Sequence, residues 1–238
     1  AEQVADALSV EISGRNVLVT GTTINGLGFE TARAIAKYAN LVIITGRNAE
    51  RLQLSEDKIK KEFPSANVRK LTLDLSSLAA VRTAAAEVNA YAEPLHVLIN
   101  NATAAVTHYS VTSDNFEAQM ATSHIGPFLF TNLLAPKLLA ARTATYTPPP
   151  KSANILTAIE LSRRAKGKLV SFSLHPGAIR TNGSRQAEVI AALHELGLYD
   201  ESGELNPGLG IEWKTIPQGA ATTLVAAFDP SLSRSSSS

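Results

Sequence analysis

Apolar positions alternate between two patterns along the chain. Short β-branched runs are separated by longer stretches in which apolar residues recur every three or four positions. That alternation predicts βαβ units around a parallel sheet. "NVLVT" (16–20) reads as a first strand, mostly apolar as a strand buried on both faces should be. "GLGFETARAIAKYA" (26–39) reads as a helix with Phe29, Ala32, Ile35 and Ala36 on one face. "NLVIITG" (40–46) is a second strand, and the charged helix after it, over about 49–62, ends before Pro64. A third strand (67–75), a helix (77–92) and a fourth strand (95–102) follow. Residues 115–141 are mostly helical, with Pro127 and Pro136 as expected kinks or breaks. A helix from Lys151 to about Ala165, a buried strand at 168–177, a loop-rich stretch at 183–216 and a helix at 217–228 complete the order.

One irregularity stands out in that order. Up to the fourth strand every helix returns to a strand, but the helix at 115–141 is followed by "RTATYTPPP". Three prolines do not fit a central strand. The expectation is that no strand lies between the two long helices, which breaks the usual doubly wound order. Tyr146 is then a loop residue.

Composition narrows the class. The 238 residues suit one domain, with the fold at 1–230 and "SLSRSSSS" at 231–238 as a frayed tail. Net charge is +1 and no basic stripe is visible, so nucleic acid is not an expected partner. No apolar run has the length of a membrane span, and no membrane partner is expected. The chain has no Cys, which excludes disulfides and thiolate chemistry and fits the cytoplasm. The five His have no metal-ligand spacing, so no metal site is expected.

"VLVTGTTINGLGFE" places Gly21, Gly26 and Gly28 between a buried strand and a helix. A dinucleotide pyrophosphate needs this context: a tight turn, close backbone approach, and helix N–H groups facing the phosphates. An ordinary glycine-rich turn is the plainer alternative.

With these residues in view, the sequence resembles the short-chain dehydrogenases/reductases. "TGTTINGLG" (20–28) resembles T-G-x-x-x-G-x-G with one residue inserted. "LDL" (73–75), "NNAT" (100–103), "KSAN" (151–154) and "HPGAIRTN" (175–182) match further family motifs in family order. The flavour is that of the retinol-dehydrogenase-like branch and its fungal relatives. The resemblance covers roughly residues 14–230 and implies a single-domain, Rossmann-like, doubly wound α/β fold. It implies a pyrophosphate site at Gly21, Thr22, Thr23, Gly26, Leu27 and Gly28. Asp74 and Leu75 would meet the adenine, Asn101 and Ala102 the ribose, and Pro176, Gly177, Ile179 and Thr181 the nicotinamide carboxamide. After the second strand stand Arg47 and Asn48 with no acid. A guanidinium there suits a 2′-phosphate, so NADP(H) is favoured over NAD(H), unless Arg47 is only a solvated surface charge.

The family mechanism uses a Tyr four residues before a Lys, a Ser from the fifth strand and an Asn on the preceding helix. Lys151 matches the Lys and would be both catalytic and a ribose ligand. Thr147, not Tyr, stands four residues before it, and Ser123 stands where the Asn is expected. The fifth strand with its Ser, and the seventh, have no match. His108 and Tyr109 lie on the ligand side of such a sheet and could supply a substitute acid. His175 either nears the nicotinamide or packs before a tight turn. Two function classes therefore stay open. One is an NADP(H)-dependent oxidoreductase acting on a small-molecule carbonyl or alcohol, with 183–216 as a substrate lid. The other is a catalytically inactive dinucleotide-binding or scaffold protein. The helices at 115–141 and 151–165 would suit a homodimer face in this family.

Overall fold

The computed structural model describes residues 1–104, 108–141, 144–147, 152–181, 185–200 and 202–234. In chain order the elements are α1 (Glu2–Ala7), α2 (Ser9–Ile12), β1 (Asn16–Val19), α3 (Leu27–Ala36), β2 (Leu41–Gly46), α4 (Ala49–Glu62), β3 (Val68–Thr72), α5 (Leu78–Ala90) and β4 (Val97–Ile99). Then come α6 (Ala118–Met120), a π turn (Ala121–Ile125), α7 (Gly126–Ala140), β5 (Ala144–Thr147), α8 (Ser152–Ala165), β6 (Leu169–Ser171), β7 (Ala178–Ile179), α9 (Ala187–Glu195), a 3-10 turn (Pro207–Leu209), β8 (Trp213–Lys214), α10 (Ile216–Phe228) and α11 (Pro230–Arg234).

Six strands form one parallel sheet in the order β3-β2-β1-β4-β5-β6. The chain winds outward from β1 in one direction and then from β4 in the other, which is the doubly wound arrangement. Apolar strands make it possible: Val17, Val19, Val42 and Ile44 enter one core with α3, while Leu18, Ile43 and Leu98 enter the other with α5 and α7. Side chains alternate across the sheet, so a strand buried on both faces must be apolar at every position.

Caps set the helix starts. Asn48 accepts from the Arg51 N–H at 2.9 Å, and Ser77 accepts from the Ala80 N–H at 3.3 Å. Thr215 and Gln218 form a capping box at α10.

Four expectations need correction. The fifth strand is present: Thr145 and Tyr146 pair with Val97 and Leu98 of β4 on one side and with Val170 and Ser171 of β6 on the other. Tyr146 is therefore a central-strand residue, not a loop residue. The described strand runs to Thr147, and Pro148–Pro150 lie outside the described residues. Pro136 does not break its helix, because α7 continues through it. The loop-rich stretch contains the nine-residue helix α9. The expected tail begins too early, since α11 extends to Arg234, and Ser235–Ser238 lie outside the described residues. Among the described residues no seventh strand joins the sheet.

The N-terminal helices were not anticipated. Ala5 and Ile12 are fully buried against the α3 side of the sheet, and Val4 and Leu8 pack beside them. The spacing of these four residues is helical, and they close that core at its edge.

Candidate functional site

A cleft of about 1050 Å³ opens at the carboxyl ends of the strands, beside the switch point between β1 and β4. Open α/β sheets bind ligands at this place because the two adjacent connections diverge there.

The floor of the cleft is built by short-range contacts between the ends of β1 and β4. Gly21 turns the chain with φ 71°, and a Cβ there would lie 2.9 Å from Ala102. Only glycine meets both conditions comfortably. The Asn101 side-chain amide donates to the Thr20 and Gly21 carbonyls at 2.8 and 3.1 Å, and the Ala102 N–H donates to Thr20 Oγ1 at 3.0 Å. Helix α3 begins directly above. A Cβ on Gly28 would lie 2.3 Å from Asn101 Nδ2, so the helix can approach only because its second residue is glycine. Within the loop, Asn25 takes φ 62°. Asn tolerates that left-handed conformation better than most residues.

The expected site residues divide by placement. Gly21, Thr23, Gly26, Leu27, Arg47, Asp74 and Leu75 all line the cleft. So do Asn101, Ala102, Pro176, Gly177, Ile179 and Thr181. Three others do not line it. Thr22 is buried, and its hydroxyl donates to the Thr45 carbonyl at 3.1 Å. Gly28 is the packing contact just described, and Asn48 is spent capping α4. Lys151 lies outside the described residues. His108 and Tyr109 are exposed and do not line the cleft. His175 Nδ1 accepts from the Gly177 N–H at 3.1 Å, which holds the turn.

At one end of the cleft, Arg47 of the β2–α4 turn is joined by Arg51 from the first turn of α4. Sequence reading missed it, because its place beside Arg47 depends on where the cap at Asn48 starts the helix. Nearby, Asp74 accepts from the Ser76 N–H and hydroxyl at 2.9 and 2.6 Å, fixing the turn after β3.

At the other end, the π turn carries Ser123, which is buried. Its hydroxyl lies 3.1 Å from Thr103 Oγ1 and accepts from the Ala104 N–H at 3.3 Å. Asn154 of α8 clamps the same turn from behind. Its amide donates to the Ser123 carbonyl at 3.1 Å, and its Oδ1 lies 2.7 Å from His124 Nδ1. Single π turns inside helices are frequent at functional sites. Asn100 is buried, and its Nδ2 donates to Thr131 Oγ1 at 3.0 Å. Its Oδ1 has no hydrogen-bond partner among the described residues.

The family model for short chain dehydrogenases matches residues 15–145, which span β1 to β5. The chain belongs to the short-chain dehydrogenase family. This family member is 32% identical to the chloroplastic short-chain dehydrogenase TIC 32 A of Brassica napus over 265 aligned residues, which cover 94% of this chain and 79% of the relative. That match is longer than the 238 residues of this chain, so the relative has residues within it that this chain lacks. Retinol dehydrogenase 12 of Bos taurus is 28% identical, with 92% of this chain and 75% of the relative covered. Among solved structures, a 3-oxoacyl (acyl-carrier-protein) reductase from Agrobacterium tumefaciens with NADP bound matches at a TM-score of 0.72 and 19% identity, covering 93% of this chain and 91% of that one. A short-chain dehydrogenase from Sphingobium yanoikuyae in complex with NADPH matches at 0.65 and 16%, covering 89% and 83%. At such identities the likeness establishes the fold alone. Among the described residues no helix of this chain is long and apolar enough to cross a membrane.

Proposed function

We propose that the cleft binds a nicotinamide dinucleotide, NADP(H) in preference to NAD(H). In this reading the protein is an oxidoreductase that interconverts a carbonyl and an alcohol on a small molecule. One observation carries the reading. A single cleft runs from the glycine turn, past Arg47 after β2 and Arg51 of α4, to Ile179 and Thr181 on the far wall. The residues fit the group, because a Cβ at Gly21 or Gly28 would collide with the β4 end and collapse the cradle.

The bound cofactor supplies the hydride, and the chain's residues position it. Gly21, Thr23, Gly26 and Leu27 face the pyrophosphate, with Thr22 and Gly28 fixing the loop from behind. Arg47, with Arg51 and the helix start at Asn48, holds the 2′-phosphate by charge-assisted hydrogen bonds. Asp74 and Leu75 bound the adenine, and Asn101 and Ala102 the ribose. Pro176, Gly177, Ile179 and Thr181 hold the carboxamide. Lys151 holds the nicotinamide ribose and is the catalytic cation. The stretch 183–216 is the substrate lid in this reading, and its residues Gln186 and Val189 line the cleft.

Calorimetric titration with NADPH and NADH tests the assignment. NADPH should bind more tightly. Arg47→Ala should weaken NADPH about 10- to 100-fold, the scale of one lost charge-assisted hydrogen bond, and leave NADH unchanged. Equal weakening of both cofactors would refute the 2′-phosphate contact.

A second reading, a non-catalytic dinucleotide-binding or scaffold protein, is favoured by Thr147 standing four residues before Lys151 in place of Tyr. Turnover of simple aldehydes with NADPH would exclude it. We also read α7 and α8 as a homodimer face, because Phe128, Leu139, Ile155, Leu156 and Ile159 are apolar and exposed. Sedimentation of the purified chain decides that point. The cytoplasm is our reading of its compartment, and cell fractionation would distinguish it from a plastid.

A further inference from the structure

The geometry points to Arg180 as a positioning residue that ties the lid to the cofactor wall of the cleft, so that the two loosen or tighten together. Arg180 directly follows β7, and its neighbours Ile179 and Thr181 both line the cleft. Its own side chain points into the lid. The guanidinium stacks 4.8 Å from the centre of the Trp213 ring, donates to the Gly203 carbonyl at 3.0 Å and forms an ion pair with Glu204. Trp213 Nε1 donates to Glu204 Oε2 at 3.2 Å, and the buried Tyr199 meets the Trp213 ring edge-on at 5.7 Å. One planar cation thus engages an aromatic face, a carbonyl and a carboxylate at once. A lysine has no flat face or fork with which to do the same.

The strand pairing beside Arg180 is short. The β7–β8 ladder has two residue pairs, Ala178 with Trp213 and Ile179 with Lys214. A two-stranded ladder is marginal without further packing. Helix α9 buries none of its residues, so its position over the cleft depends on what holds the segment at its far end. The Lys214 stem adds a second tie to the wall, since a Cβ on Gly177 would lie 2.8 Å from Lys214 Cδ. The substrate lid and the carboxamide segment therefore share a fastening at Arg180, beside the smaller one at Lys214. The lid's role rests on the proposed function, but the coupling itself does not.

Hydrogen exchange on the full chain without ligand tests the coupling. In Arg180→Ala, amides of residues 187–195 and of 177–179 should exchange faster together, by about tenfold, with the melting transition of the sheet unchanged. Arg180→Lys should resemble Arg180→Ala. Trp213→Phe, which keeps a ring face for the guanidinium, should resemble the parent. Faster exchange in 187–195 alone, in neither segment, or across the whole sheet would overturn the proposal. Trp213 is the chain's one tryptophan, so its emission reports the same fastening. With NADPH added, the emission should change in the parent and stay still in Arg180→Ala. Calorimetry run alongside separates the two ideas. If the parent binds no NADPH, the cofactor reading fails, and the exchange result still decides the coupling.

Discussion

Strands β1 and β2 meet over four residue pairs and bury every member, whereas β5 and β6 meet over three and β7 and β8 over two. The helices follow the same division. Helix α3, beside the glycine loop, buries seven of its ten residues, while α9, beside the lid, buries none. The first half of the molecule faces the pyrophosphate, the adenine and their ribose in our reading. It has the rigidity a fixed ligand rewards. The second half faces the substrate, and its thin packing leaves local opening cheap. The contrast shows how one sheet can hold a constant part and an adjustable part side by side.

Core truncation should break that contrast most visibly. Leu18 on β1 is fully buried, and Leu18→Ala should cost about 3–5 kcal/mol. Val170 on β6 is half-buried, and Val170→Ala should cost about 1 kcal/mol because fewer methyl contacts with the interior are lost. Urea unfolding of both variants gives the comparison, and equal costs would show that the halves are held alike. Next in size is Gly28→Ala. Its new Cβ would press on Asn101 Nδ2 and on the Gly21 carbonyl, so overpacking should cost about 1–3 kcal/mol. The same shift should displace the loop and lower cofactor affinity. Undiminished binding would mean that the helix can retreat without moving the glycine turn.

Legibility in the sequence follows the same division. β1, β2 and β4 announce themselves because a strand buried on both faces has to be apolar. β5 does not, because "ATYT" is short, only partly apolar and followed by prolines. Its strand state is imposed by β4 and β6 on either side, and tertiary pairing outranks local preference in strands. The N-terminal helices are legible only in the helical spacing of Val4, Ala5, Leu8 and Ile12, a pattern too short to stand out from the polar residues around it. In the site, the glycine turn and Arg47 were legible because backbone geometry and charge act locally. The contacts joining Ser123, Thr103, Asn154 and His124 were not, since they bring together three distant segments. The grip of Arg180 on Trp213 and Glu204 was equally invisible, because it depends on how the lid folds back.

The joint between the halves offers a finer test, by pH. His96 precedes β4, and its Nδ1 accepts from the Asn16 N–H of β1 at 2.9 Å. Its carbonyl accepts from the Thr145 N–H of β5 at 2.9 Å, so one residue touches both halves. Burial, helped by the nearby Arg15 charge, pushes the imidazole pKa below its ordinary value. A protonated Nδ1 could no longer accept from Asn16, so the fold favours the neutral ring. The folded value is then lower than the unfolded one, and the unfolded chain takes up the proton first as pH falls. The His96 contribution is complete above the unfolded value of about 6.5 and is lost as pH falls through the folded value. Stability should therefore decline between pH 7 and pH 5. The variant His96→Asn, whose Oδ1 can accept from Asn16 without titrating, should flatten that decline. Urea midpoints for both proteins at the two pH values make the measurement. Identical pH slopes would show that the joint is not the group responsible, and that the acid limb belongs to carboxylates elsewhere on the surface.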